Sequence, residues 1–69
     1  MTPHAAKRII AQAIARAGLP PHRLTARTVS FSDLARDKAV FVTIHGWKPG
    51  PLWNDLRSTA HANGFCIEY

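Results

Sequence analysis

The hydrophobic pattern along this chain switches between a helical and a strand period, and each switch marks a new element. In the first stretch the apolar residues Ala6, Ile9, Ile10, Ala13, Ile14 and Ala17 recur every three or four positions. At about 100° per residue they form one stripe on an α-helix. His4, Arg8, Ala11, Gln12 and Ala15 fall on the opposite side, with Lys7 and Arg16 flanking. Thr2-Pro3 gives a capping hydroxyl and a proline suited to a first helical position. Gly18 then permits a left-handed stop, and Pro20-Pro21 prevent continuation.

From His22 to Phe31 the period falls to two, with Leu24, Ala26 and Thr28 on one side and Thr25, Arg27, Val29 and Phe31 on the other. This predicts a first strand, although the mixed polarity leaves open which side faces the helix. If the smaller, more apolar set packs inward, Arg27 and Phe31 point out beside the outer side of the next strand. Ser32–Asp37 reads as a capped helical turn between the two strands.

The stretch from Lys38 to Pro51, KAVFVTIHGWKPGP, organises the rest. Residues 39–44 are β-branched or aromatic at five of six positions, which suits a pleated surface. Val40, Val42 and Ile44 share one side, and Phe41, Thr43, His45 and Trp47 the other. Apolar weight on both sides predicts an interior strand, and Gly46, Pro49, Gly50 and Pro51 end it. Leu52–Ala62 reads as a second helix with Leu52, Leu56, Thr59 and Ala60 inward and Trp53 at the border. Asn63-Gly64 stops it, and Phe65–Tyr69 alternates as a last strand with Phe65, Ile67 and Tyr69 on one face.

The predicted order is α-β-β-α-β, an α+β fold in which a small two-layer sandwich carries two helices on one face of a three-stranded sheet. The unit of second strand, second helix and third strand should cross over right-handedly. Two strand orders remain open. Order 2-1-3 makes all neighbours antiparallel, whereas order 1-2-3 puts the KAVFVTIHGW strand in the middle.

With 69 residues the chain has room for a single domain spanning 1–69. A domain of this size buries only about 60% of its unfolded surface, so a homodimer or a larger partner would add burial that the monomer lacks. Cys66 is the sole cysteine, which favours a reducing, cytoplasmic setting. No apolar run approaches the ~20 residues of a membrane span, so no membrane partner is expected. The Lys7-Arg8 and AIARA features imitate a leader, but Gln12 and Arg16 interrupt the apolar run, and the segment reads as the first helix.

Charge changes the picture more than composition does. The net charge is +5, and residues 1–31 hold Lys7, Arg8, Arg16, Arg23 and Arg27 with no acid. The four later cations are matched by Asp33, Asp37, Asp55 and Glu68. An excess gathered in one half favours an anionic partner. Phe41, Thr43, His45 and Trp47, with Lys48 in the loop and Arg27 beside them, combine aromatic faces with cations. Single-stranded nucleic acid is held by such a set, bases on rings and phosphates on Lys or Arg, and Lys7, Arg8 and Arg23 would extend the track. The competing reading packs Phe41 and Trp47 under the second helix or in a dimer contact, because an aromatic on a strand is core more often than platform.

Other chemistry has less support. His4, His22, His45 and His61 lack the spacing of a metal pair, and Cys66 has no second thiol nearby, so neither a metal nor a cofactor is expected. His45 at a strand end could serve as a general base on an RNA 2′-hydroxyl, or could simply be hydrogen-bonded there. Gly46-Trp47-Lys48-Pro49-Gly50 reads as a turn, because Pro49 removes a backbone donor that a phosphate loop would use. The acids lie on separate elements, which disfavours a carboxylate pair. The expected function is therefore a small basic module for RNA or single-stranded DNA, with contacts at Lys7, Arg8, Arg23, Arg27, His45, Trp47 and Lys48. The alternative is a compact protein-binding inhibitor or adaptor of the kind phages and plasmids encode, anti-CRISPR proteins among them, acting on a larger protein or ribonucleoprotein complex.

Overall fold

The computed structural model describes residues 1–30, 38–48 and 50–69. Five elements follow in the expected order: α1 (Pro3–Arg16), β1 (Leu24–Ser30), β2 (Lys38–Ile44), α2 (Pro51–Ala62) and β3 (Cys66–Glu68). The turn expected over Ser32–Asp37 and the outward Phe31 lie outside the described residues.

Thr2 caps α1, its Oγ1 accepting the Ala5 N–H at 3.1 Å, with Pro3 in the first turn. Both helices end in the same hydrogen-bond pattern. Gly18 N–H bonds Ala15 C=O and Leu19 N–H bonds Ile14 C=O, while Gly64 and Phe65 repeat this on His61 and Ala60. These are the paired bonds of a Schellman stop, and they need a left-handed residue. Gly18 at φ 76° and Gly64 at φ 83° supply it.

The sheet order is β1-β2-β3, so of the two open topologies the one with β2 in the middle is realised. β1 pairs antiparallel with β2, and β2 pairs parallel with β3. An all-antiparallel 2-1-3 sheet would have left the two apolar sides of β2 half unused at an edge. Val40, Val42 and Ile44 face the helices and are buried with Ala6, Ile10 and Ile14 of α1, Leu56 and Ala60 of α2, and Phe65. Leu24, Ala26 and Ile67 pack against this core, which settles the inward side of β1. α1 lies on β1 and β2, α2 lies beside β3, and the helices touch each other. Among the described residues no helix lies on the opposite face of the sheet.

Candidate functional site: an open sheet face and a basic furrow

The helix-free face is built by alternation along three strands. β1 places Thr25 and Arg27 there, β2 places Phe41, Thr43 and His45, and β3 places Cys66 and Glu68. The register sets Arg27 opposite Phe41 and Cys66, and Thr25 opposite Thr43 and Glu68. Arg27 reaches across β2 to Glu68, with Nη2 at 3.0 Å from Oε1 and 3.2 Å from Oε2, and Nε at 3.2 Å from Oε1. Thr43 Oγ1 donates to the same Oε1 at 2.8 Å. These contacts hold the Glu68 carboxyl below the usual carboxylate range, the Thr43 hydroxyl contributing most and Arg27 next, against a smaller opposing effect of burial. The Arg27 guanidinium also lies 5.2 Å from the centre of the Phe41 ring.

His45 has a partner here as well. Its Nε2 lies 2.9 Å from Thr25 Oγ1, and its N–H donates to the Arg23 carbonyl at 2.9 Å, extending the ladder beyond the end of β2. Arg23 therefore continues the row of Thr25 and Arg27 by alternation. On this face Arg27 is already paired with a carboxylate of the same chain. A phosphate approaching Arg27 would have to displace an internal carboxylate.

Trp47 departs from the expected placement. Alternation carried past Ile44 puts it on the open face with Phe41, Thr43 and His45, but Gly46 adopts φ 75° and turns the chain. The indole instead packs, partly buried, against the helix-side core. Its ring centre lies 5.2 Å from His22 and 6.3 Å from Trp53 of α2, and Trp53 meets Tyr69 edge-on at 4.9 Å. The competing reading, packing next to the second helix, is the one that holds for Trp47. Its Nε1–H is buried, and no described residue accepts it.

The turned loop completes a second surface. Between α1 and the start of β1, His4, Lys7, Arg8 and Ala11 face His22 and Leu24 across one depression. Beyond it lies a small apolar hollow of about 210 Å³ under Ile14, Ala15 and Leu19. Next comes a cleft of about 450 Å³ lined by Leu19 and Pro20, by Trp47 and Lys48 after β2, and by Gly50 and the start of α2. His22 lines all three, so they lie side by side around its ring, and together they are called the furrow. No family model, curated protein or solved structure matches this chain.

Geometry therefore divides the seven expected contact residues into two groups. Lys7, Arg8, Trp47 and Lys48 line the furrow, whereas Arg23, Arg27 and His45 belong to the open face. None of the described residues lining the furrow is acidic. The described acids are elsewhere, Asp55 in the groove between α1 and α2 and Glu68 under Arg27. Among the described residues no cluster of three His, Cys, Asp or Glu side chains could hold a metal ion, and no helix is long and apolar enough to cross a membrane. Two participants escaped the sequence reading. Glu68 shows its role only once β3 is known to pair with β2. His22 reads as the first residue of a strand, yet two prolines before it hold it short of β1, where its Nδ1 lies 2.9 Å from the Pro20 carbonyl oxygen.

Proposed function

We propose that this chain is a small nucleic-acid-binding module for RNA or single-stranded DNA, and that the furrow is its contact surface. The observation that carries this is the segregation of charge. Lys7 and Arg8 line one depression with His4, Lys48 lines a neighbouring one, and His22 borders both, while the described carboxylates are held on other faces. A polyanion laid along the furrow meets cations and no described like charge, and this raises both its association rate and its affinity. Arg27 takes no part in this version of the reading, because Glu68 already occupies it.

The test is the salt dependence of binding to a fluorescent oligonucleotide, followed by anisotropy. Three lysine or arginine contacts to a single strand predict a slope of log K against log salt near about −2, at roughly −0.7 per phosphate neutralised. Lys7→Ala combined with Arg8→Ala should remove about two thirds of that slope. Absence of binding at low salt would overturn the reading, as would an unchanged slope in the double variant.

One observation favours the protein-binding alternative. Among the described residues no strand pairs with the outer edge of β1. Because His45 N–H bonds the Arg23 carbonyl, and bonded pairs alternate along an antiparallel ladder, Leu24, Ala26, Thr28 and Ser30 turn their backbone groups outward. A partner strand could add there. Thr28→Pro removes one outward donor and no β1–β2 bond. Partner capture that survives nuclease treatment and is lost in Thr28→Pro would support this alternative over the first.

A further inference from the structure

The cleft at the Trp47 end of the furrow is more particular than a basic track requires. It is lined by Leu19, Pro20, Pro51 and Leu52 together with Trp47 and His22. Lys48 is the one formal cation among its described lining residues. At about 450 Å³ it is a broad, open depression with room for one flat group. Gly46 and Gly50 both line it without a side chain, and at each the space within 4 Å of where a Cβ would stand is empty. The Trp47 ring has His22 at 5.2 Å and Trp53 at 6.3 Å, both tilted against it, so neighbouring rings already hold it in place. An aromatic, apolar slot with one cation beside it is unsuited to a phosphate, which needs several donors, and suited to a flat heterocycle attached to one.

We infer that this cleft takes a single unpaired nucleobase, packed against the Trp47–His22 wall with its phosphate toward Lys48, while the strand continues along the furrow past Lys7 and Arg8. This rests on the nucleic-acid reading and adds to it a requirement for a base free of its stack. A base in a duplex cannot reach the slot without being unpaired, so single strands and bulged duplexes are bound in preference to blunt duplexes. Stacking of this kind tolerates any base, because every base has a π-face, and sequence preference is correspondingly weak.

The decisive variant fills the slot and removes no contact. Gly50 has an extended backbone, φ −172° and ψ −173°, with open space where a side chain would project. Gly50 is part of the cleft lining, so Gly50→Leu adds a bulky side chain at the cleft, and Gly50→Ser serves as a small control that also gives α2 a capping hydroxyl. The probes are labelled single-stranded DNA and RNA of about 12 nucleotides, within the span of small single-strand-binding folds, a blunt duplex, and the same duplex with one bulged base. Gly50→Leu and Trp47→Ala are expected to weaken single-strand and bulged-duplex binding about tenfold or more, the loss of one stacked base. The salt slope should stay unchanged, and Gly50→Ser should bind as the parent does. Thermal unfolding by circular dichroism confirms that Gly50→Leu is folded, and if it is not, Leu52→Trp alone provides a second crowded cleft. Unaltered single-strand affinity in the folded blocked variant, or a blunt duplex bound as tightly as the single strand, would overturn the inference and leave a salt-dependent furrow standing. No binding of any probe at low salt would remove the furrow as well.

Discussion

Whether Arg27 serves the fold or a ligand can be decided by a double-mutant cycle on Arg27 and Glu68. The pair is bidentate but lies at the surface, with side chains 58% and 36% exposed. Exposed pairs contribute about 0.2–1 kcal/mol, and the Thr43 hydroxyl adds a bond worth about 0.5–1.5 kcal/mol net. Arg27→Ala, Glu68→Ala and the double variant, unfolded in urea with tryptophan fluorescence as the signal, should therefore give a coupling energy below about 1 kcal/mol. In about 1 M salt it should shrink further, the Debye length there being about 3 Å. The pH dependence has a definite sign. Glu68 has a lowered folded-state pKa, so its contribution is present above the unfolded value near 4.3 and disappears as pH falls through the folded one. A coupling above about 2 kcal/mol, or one indifferent to salt, would refute the assignment of the pair as an exposed strap. The same Arg27→Ala protein should bind oligonucleotide within about threefold of the parent, the effect of one distant charge. A tenfold loss would move the ligand to the open face.

Two further outcomes follow from the core and the loop. Leu56, 1% exposed beneath α2, should cost about 2–5 kcal/mol on truncation to alanine, against a total near roughly 3–10 kcal/mol for 69 residues. Urea titration should find Leu56→Ala barely folded, and a loss under about 1 kcal/mol would mean that α2 is not held by that side chain. Gly46→Ala forces a side chain into the left-handed turn that aims Trp47 and should cost about 1–2 kcal/mol. It should also weaken oligonucleotide binding as Trp47→Ala does, and an unchanged melting midpoint would show that the turn tolerates alanine.

Most of the architecture was legible locally. The stripe of Ala6, Ile10 and Ile14, the alternation of Val40, Val42 and Ile44, and glycines just past each helix are short-range signals, because helix and strand periods act within a few residues. The charge asymmetry was equally plain, and the furrow inherits Lys7 and Arg8 from it. What could not be read were the places where distant residues meet. Glu68 belongs with Arg27 because β3 lies parallel to β2, and nothing within three residues of Glu68 specifies that pairing. Trp47 obeys strand alternation on paper and breaks it in space, because one glycine at positive φ redirects the chain just after the strand ends. His22 gains its position from two prolines and its importance from the indole that the same turn delivers to it. Sequence alone settled the elements and the sign of the charge. Side-chain meeting points depend on strand order and on a single backbone dihedral, and these are set by burial of the whole core.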